Sequence, residues 1–394
     1  MISRILLPIF SHLFTKLISR FEDAEMKKAL CRVIDERSYY GLIHHSRVEK
    51  FEKELSKKFE APALGTNSGT DALILALKAF GVGNGDEVIV PAFGFISIAS
   101  SVLWVGAKPV FADVREEDFA LDPHEVERKI TSKTKAIMVA HLFGQPAESV
   151  LELGRIAKNN KIPLIENGAQ AMGAEIKINN TWRPVGTLGD IACLSFGPSK
   201  TFSALGSGGA MIFNTQAQHF FEAARTMRTL GARVLNYDYP TAGVNNKLQE
   251  LQAAALLAKW PFVDYWLAYR RIIAEYYTAH LSGIKDLILS GERRGVRRIW
   301  YRYIVKTKQR DLLFDYLLQR SRDARFAPQK LYPVLLPHFS IFRNVINQRD
   351  NFPVASHLAS ETLALPLSHD LSYADCRSIV ENIKNFYRQA PRSR

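Results

Sequence analysis

Short apolar runs alternate with stretches of helical periodicity along most of this chain, from about Phe51 onward. One such stretch, Thr70–Phe80, carries apolar residues at the spacing of a buried helix. The apolar runs that predict buried strands are Glu87–Pro91, Lys108–Asp113, Ala136–Ala140, Lys161–Glu166 and Asp190–Phe196. Strands that are apolar throughout are typical of parallel sheets with helices on both faces, so the pattern predicts an α/β fold with a mainly parallel central sheet. Ligands of such sheets bind beyond the carboxyl ends of the strands, where we therefore look for chemistry.

The last third of the chain predicts a smaller α+β unit. Its predicted elements are a helical stretch near Leu248–Leu281, a strand at Ile299–Thr307, a helix at Asp311–Gln319 and a final helix at Tyr373–Tyr387. A chain of 394 residues is too long for one compact core. We expect a large α/β domain over residues 21–260 and a small C-terminal α+β domain over residues 261–394.

Residues 1–20 form a segment of their own. Apolar residues recur there at helical spacing with basic residues between them, namely Leu6, Ile9, Phe10, Leu13, Phe14, Leu17 and Ile18 with Arg4, Lys16 and Arg20. This pattern predicts an amphipathic helix that either lies on an anionic membrane surface as a peripheral contact or packs on the body of the protein.

Composition narrows the function classes without choosing one. The formal net charge is +13 at pH 7, but no helix-turn-helix, zinc-finger or aromatic RNA-binding signature accompanies it, so no nucleic acid is expected as a partner. Cys31, Cys193 and Cys376 have neither metal-ligand nor redox spacing, and no metal site is expected. Such a sparse, odd set argues against a disulfide framework and favours the reducing cytoplasm as the location.

The segment Ser195–Lys200 presents a lysine shortly after a predicted strand, and a glycine-rich segment, Gly206–Gly209, follows it. Glycine permits close approach of the backbone to a ligand. Lysine bonds covalently to carbonyl compounds once burial frees its amine. A lysine near glycines is on its own more often a surface residue, so this segment needs support from others.

Two further segments place polar residues where a ligand would bind. Asn67–Asp71 opens the predicted helix, where backbone N–H groups and a hydroxyl form a ready phosphate site, although an ordinary helix cap explains the same residues. Ile165–Ala174 ends a predicted strand and holds Asn167 and Gln170 among small residues. That setting indicates a crowded site rather than a solvent-exposed loop.

In this order and spacing, the three segments resemble the DegT/StrS-type sugar aminotransferases, a family of fold-type-I pyridoxal-phosphate (PLP) enzymes. The resemblance runs from about Val48 into the C-terminal region. Other stretches that fit it are Gly85–Val88, Pro91–Phe95, Gly106–Asp113, Thr134–Ile137, His141–Pro146, Gly243–Leu248 and Leu363–Leu367. The resemblance implies the fold-type-I PLP-dependent transferase fold, pyridoxal 5'-phosphate as cofactor and a homodimer with shared active sites.

The resemblance also implies which residues hold the cofactor. By position, Lys200 matches the catalytic lysine that binds the cofactor covalently and later moves a proton between carbon atoms. The groups that match those holding the cofactor phosphate are Gly69, Thr70 and Ser195.

Three more positions match family residues around the cofactor. Phe95 matches the aromatic residue stacked on the pyridine ring, and Gln170 matches the amide near its phenolic oxygen. Asn245 matches an asparagine that reaches the phosphate from the neighbouring subunit. Without the resemblance, Phe95 would be read as a core aromatic and Gln170 as a structural hydrogen-bonding residue.

One departure from the family pattern affects the chemistry. Asn167 stands where the family usually has the aspartate that keeps the pyridine nitrogen protonated, and a neutral amide favours the less electron-withdrawing form of the ring. Loss of a charge-assisted hydrogen bond, about 1.5–3 kcal/mol, would slow the proton shift by roughly one to two orders of magnitude. Nearby, Met172, Gly94 and Ser207 replace the usual His, Thr and Glu.

The primary hypothesis is an aminotransferase that moves an amino group, from glutamate, onto a nucleotide-linked keto-sugar in amino-sugar biosynthesis, as for surface lipopolysaccharide. A dense basic run that could meet the nucleotide diphosphate consists of Arg293, Arg294, Arg297, Arg298 and Arg302, although a solvated basic face is the commoner explanation. Two alternatives stay open: a PLP-dependent sugar dehydratase or other lyase, and a non-catalytic binding or regulatory protein. Lys200 argues against the known dehydratase branch, which has histidine there.

Overall fold

The computed structural model describes residues 12–38, 46–234, 237–321, 323–346 and 350–389. Its α-helices, α1 to α12 in chain order, are His12–Asp35, Ser46–Phe59, Gly69–Ala79, Ser97–Trp104, Pro123–Lys129, Val150–Asn159, Phe221–Arg228, Glu250–Lys259, Val263–Leu281, Arg310–Leu318, Pro353–Glu361 and Tyr373–Gln389. Its strands, β1 to β14, are Ala63–Thr66, Glu87–Pro91, Lys108–Ala112, Thr134–Ala140, Leu164–Asn167, Glu175–Ile178, Thr181–Pro184, Ile191–Ser195, Gly209–Phe213, Ile288–Leu289, Val296–Arg297, Tyr303–Lys306, Gln329–Lys330 and Thr362–Leu365.

A seven-stranded sheet in the order β1-β9-β8-β5-β4-β2-β3 forms the centre of the fold. Strands β2, β3, β4, β5 and β8 run parallel, whereas β9 pairs antiparallel with both β8 and β1. Most residues of these strands are buried, because helices cover the sheet. The predicted α/β fold with a mainly parallel central sheet is therefore confirmed, as are the five predicted strands, to within a few residues at their ends.

The single helical stretch predicted at Leu248–Leu281 is wrong in one respect, because two helices occupy it. Helix α8 ends at Lys259 and α9 begins at Val263, with a 3-10 turn over Trp260–Phe262 between them. Pro261 lies in that turn, and proline inside a helix removes a backbone donor and clashes with the preceding turn. The proline thus redirects the chain where it leaves the central sheet.

The C-terminal part contains a four-stranded antiparallel sheet, β10-β12-β14-β13. It shares a hydrophobic core with α9, α10 and α12, in which Tyr277, Tyr303 and Leu363 are fully buried. Other C-terminal residues, such as Leu336 and Phe342, instead join the core of the central sheet. The division of the chain into domains at residues 20 and 260 stays a prediction.

Helix α1 runs from His12 to Asp35, so it continues well past the predicted end of the N-terminal segment at residue 20. It packs on α8. Glu22 Oε1 lies 3.7 Å from Lys259 Nζ, and Val33 is fully buried. Residues 1–11, which carry much of the predicted amphipathic pattern, lie outside the described residues, and contact with a membrane stays a prediction. None of the described helices combines the length and apolar character that crossing a bilayer requires.

Candidate active site

The predicted site residues of the first 200 positions gather at the carboxyl edge of the central sheet. Asn167 ends β5, and Ser195 ends the neighbouring strand β8. Lys200 follows in a turn in which its backbone N–H donates to the carbonyl of Gly197 at 2.9 Å. The sheet thus presents the amide, the hydroxyl and the amine along one edge.

The first turn of α3 forms a cradle against the end of β8. A Cβ atom on Gly69 would lie 2.7 Å from Cβ of Ser195, and one on Gly209 would lie 2.4 Å from the carbonyl carbon of Ser68. Only glycine at both positions permits this close approach.

The cradle leaves backbone donors for a ligand. The first N–H groups of a helix have no acceptor within the helix. The Ser68 hydroxyl accepts the N–H of Asp71 at 3.0 Å, so the N–H groups of Gly69 and Thr70 are left for a ligand. A Cβ on Gly69 would lie 3.1 Å from the Ser195 hydroxyl oxygen, so this hydroxyl lies beside them. This donor set and its helix N-terminus fit a phosphate group.

Asn167 lies at the base of the site, with 8% of its surface exposed. Its Oδ1 accepts the backbone N–H of Ala169 at 3.1 Å. The amide nitrogen is therefore the end of the side chain that a ligand would meet. It is a donor only, so it pairs with an unprotonated ring nitrogen rather than with a protonated one.

Gln170 is buried and held by two hydrogen bonds. Its Oε1 accepts the N–H of Phe143 at 2.7 Å, and its Nε2 donates to the Tyr332 hydroxyl at 3.0 Å. Tyr332 in turn lies near Phe95, with ring centroids 6.4 Å apart. Phe95 is 52% exposed, which leaves much of this large apolar side chain without cover from the described residues and suits a residue that stacks on a ligand.

Tyr301 is a neighbour of Lys200 that the sequence did not indicate. Lys200 Nζ lies 5.1 Å from the centroid of its ring, and its hydroxyl lies 3.3 Å from Oγ of Ser199. Burial acts to raise the pKa of the Tyr301 phenol, but the charges of Lys200 and Arg302 outweigh it, and the pKa lies below its usual value of 10.0. Gln170, Ser195, Lys200 and Tyr301 line one small pocket.

A buried hydrogen bond between His141 and Glu166 supports the end of β5. His141 Nε2 lies 3.0 Å from Glu166 Oε2, and His141 Nδ1 accepts the N–H of Ala147 at 2.9 Å, so the proton is on Nε2 when the ring is neutral. Glu166 also accepts three backbone N–H groups, those of Gly186, Leu188 and Gly189. Burial acts to raise the pKa of Glu166, but His141 and these N–H groups lower it overall. These hydrogen bonds thus hold Glu166, the residue that precedes Asn167, in place.

Asn245 does not join the other predicted residues within the chain. It is exposed on a segment that pairs with Thr229 through an isolated bridge. The next residue, Asn246, donates to Asp71 Oδ1 at 3.1 Å and so holds this segment beside the start of α3. Asn245 thus lies next to the cradle but outside it, and its role in the site of a neighbouring subunit stays a prediction.

The structure places the arginines of the predicted basic run in different surroundings. Arg293 pairs with Glu148, and Arg297 pairs with Glu175 at 2.9 Å. Arg298 is buried over the ring of Trp300. The run as a single phosphate-binding patch is therefore wrong, because the short strand β11 and its neighbours point successive side chains in different directions. Arg302 is the member of the run that lines a cavity with Lys200.

The site fits pyridoxal 5'-phosphate. It combines a lysine after a sheet strand, a phosphate cradle at a helix N-terminus, an amide at its base and an exposed aromatic side chain. This fold and site define the class of fold-type-I PLP-dependent transferases. The sequence model of the DegT/DnrJ/EryC1/StrS aminotransferase family matches residues 22–384, and the chain belongs to that family. It is thus a PLP-dependent sugar aminotransferase by family, as the resemblance implied.

The relatives carry both catalytic and regulatory names. The dTDP-3-amino-3,4,6-trideoxy-alpha-D-glucose transaminase of Streptomyces venezuelae is 31% identical over 95% of this chain and 95% of its own length. The Pleiotropic regulatory protein of Geobacillus stearothermophilus is 36% identical over 92% of this chain and 96% of its own length. Among solved structures, that of S. venezuelae DesV in complex with a ketimine intermediate is 31% identical, with a TM-score of 0.86 over 96% of this chain and 98% of that one.

Proposed function

We propose that the chain transfers the amino group of glutamate to the ketone of a nucleotide-linked sugar, in amino-sugar biosynthesis. The net reaction converts glutamate and the keto-sugar into 2-oxoglutarate and the amino-sugar. The named activity of the S. venezuelae relative, a transaminase of a dTDP-linked amino sugar, supports this acceptor class. The observation that carries the proposal is the position of Lys200 beside the cradle of Gly69 and Ser195.

In this proposal each residue has one task. The N–H groups of Gly69 and Thr70 and the Ser195 hydroxyl hold the phosphate, and Phe95 covers one face of the ring. When bound, the cofactor supplies the electron sink that lets the α-carbon of the donor release its proton. Lys200 Nζ would take that proton and return it within the same site. Its pocket, walled by Tyr301, keeps that transfer away from bulk water.

An absorbance spectrum of the purified protein with pyridoxal phosphate, before and after excess glutamate, tests the proposal. We expect the visible band of lysine-bound cofactor in the wild type and in Lys133→Ala, a control at an exposed lysine, and its loss in Lys200→Ala. Glutamate should convert the band to that of the amine form. A stable band that glutamate leaves unchanged would support the lyase or binding alternatives, and no band at all would show that Lys200 does not hold the cofactor.

The proposal includes a homodimer in which Asn245 completes the partner's site. Large apolar side chains stand exposed around Asn245, at Leu230, Val234, Tyr237, Tyr239 and Val244. Tyr237 is 89% exposed. A patch of this kind marks an interaction surface. We place the dimer in the cytoplasm, because all three cysteines are free thiols.

A further inference from the structure

A large groove opens at the amino edge of the central sheet, the opposite edge from Lys200. Its volume is about 860 Å³. Strands β4, β5 and β8 begin at its floor, where Thr134, Leu164 and Asp190 line it. One wall is helix α6, and the other is the 3-10 turn Thr215–Phe220. The groove is thus separate from the predicted cofactor site and has the size of a small-molecule site, roughly 300–1,000 Å³.

Hydrogen bonds hold the floor of this groove in place. The backbone N–H groups of Leu188 and Gly189 each donate to Glu166 Oε1 at 2.6 Å. On the other side of the same loop, Nδ2 of Asn214 donates to the carbonyl of Gly189. The groove is therefore built by contacts within the chain and does not need a ligand to form it, which is usual for small-molecule sites.

The groove has an excess of positive charge. Its exposed lysine and arginine side chains, which come from β4, from α6 and from the turn after α6, are Lys135, Arg155, Lys158 and Lys161. Within the part of the chain that the structure describes, none of them pairs with a carboxylate, whereas Lys57, Arg128 and Arg225 each pair with a glutamate of their own helix. The acid of the lining, Asp190, already accepts the N–H of Leu164 at 2.8 Å.

Ordinary surface chemistry explains part of this charge. Lys158 lies in the last turn of α6, where a cation stabilises the carboxyl end of a helix. Arg155 and Lys158, however, are three residues apart on one helix, and like charges at that spacing repel each other. Lys135 adds a further cation from another element, β4. An anion in the groove would relieve this repulsion, and phosphate oxygens are the acceptors that arginine and lysine suit best.

The groove also offers an apolar and aromatic surface beside its cations. Leu151 is 39% exposed on the α6 wall. On the opposite wall, the exposed ring of His219 lies against the ring of Phe220, with centroids 3.9 Å apart. Phe220 in turn packs edge-on against Phe80 at 4.9 Å, which supports both rings from behind. A ligand with a planar ring can therefore pack on this surface while its charged part meets the cations.

We propose that this groove binds a nucleoside polyphosphate, with its phosphates on the cations and its base against His219 and Leu151. The phosphates supply several charged oxygens for several cations, and the base supplies the planar ring that a simple anion lacks. The proposal does not depend on the proposed function, because none of the groove residues is predicted to hold the cofactor. Inorganic polyphosphate is the other source of the same oxygens, and the experiment separates the two.

The test is calorimetric titration of the purified protein with ATP, and separately with inorganic triphosphate. In the double variant Lys135→Gln/Lys158→Gln we expect the Kd for ATP to rise about 10- to 100-fold, because two charged contacts to phosphate are lost. Lys50→Gln/Lys53→Gln removes the same charge from exposed positions on α2, outside the groove, and should bind ATP like the wild type. Triphosphate should bind the wild type more weakly than ATP does.

ATP binding that Lys135→Gln/Lys158→Gln leaves unchanged, or a wild type that does not bind ATP, overturns the proposal. An equal loss in Lys50→Gln/Lys53→Gln would show that net charge alone matters and overturns it too. Triphosphate that binds as tightly as ATP overturns the assignment to a nucleotide.

A second variant covers the case in which the double variant has a lower thermal midpoint than the wild type. His219→Ala then decides, since it should weaken binding of ATP and leave binding of triphosphate unchanged. Without ATP, the half-reaction with glutamate should run in Lys135→Gln/Lys158→Gln as in the wild type, because both lysines lie at the edge of the sheet away from Lys200. A wild type that binds ATP in the groove but does not convert glutamate would refute the proposed function alone.

Discussion

The backbone N–H of Ala169 donates to Oδ1 of Asn167 at 3.1 Å and so fixes which end of the Asn167 amide faces the site. An aspartate in the same place would give one oxygen to Ala169 and keep the other, with its charge, for a protonated ring nitrogen. The asparagine presents a donor instead. The departure from the family pattern thus acts on the electronics of the cofactor and leaves the backbone around it unchanged.

Asn167→Asp is therefore expected to speed the half-reaction with glutamate by about 10- to 100-fold, the equivalent of one charge-assisted hydrogen bond. Single-turnover kinetics followed through the cofactor spectrum would measure this rate. Asn167→Ala, which removes the donor without adding a charge, serves as the control and should not be faster than the wild type. An unchanged or lower rate in Asn167→Asp would mean that the site is adapted to an uncharged partner.

Gly69→Ala should weaken binding of pyridoxal phosphate by about 10- to 100-fold, because the added methyl group displaces Ser195 and costs a hydrogen bond to the phosphate. The methyl would lie 2.7 Å from Cβ of Ser195. Gly83→Ala is a control, since a Cβ there would meet nothing within 4 Å. Equilibrium titration of the cofactor gives both affinities, and equal values for the two variants would contradict the cradle.

Subunit mixing tests the role of Asn245. Lys200→Ala and Asn245→Ala should each be nearly inactive alone. If Asn245 acts across the interface, each mixed dimer has one intact site, and an equal mixture recovers about one quarter of wild-type activity. Light scattering of the same samples checks that dimers form. Failure of the mixture to regain activity, with dimers present, would place Asn245 outside the partner's site.

Glu166→Gln should lower the free energy of unfolding by about 1–3 kcal/mol at pH 7, because an amide nitrogen cannot accept the backbone N–H groups that Glu166 holds. The pKa of Glu166 is lower in the folded protein than its usual value of 4.5. Its contribution is thus complete above pH 4.5 and is lost as the pH falls through the folded-state pKa. Denaturant unfolding at several pH values would show the gap between the two proteins narrowing in acid; a constant gap would contradict this.

The apolar pattern was sufficient for the central sheet because inner strands such as β2 and β8 are buried along nearly their whole length and therefore need apolar residues on both faces. The motif around Lys200 likewise predicted that its amine lies at the carboxyl edge of the central sheet. Tyr332 could not be found in this way, since it lies 162 residues from Gln170 along the chain and meets it only in the fold. Pro261 is visible in the sequence, but helical periodicity continues on both sides of it. The pattern therefore did not show that the chain forms two separate helices there.

The contact between Lys200 and the ring of Tyr301 has a spectroscopic consequence. The positive charge of Lys200 is one of the influences that hold the phenol's pKa below 10.0. Any event that neutralises the amine removes this influence, so the phenol should ionise at a higher pH. Ultraviolet difference titration of tyrosinate would then report the charge of the half-buried Lys200 in the protein without cofactor, where the lysine itself has no absorbance.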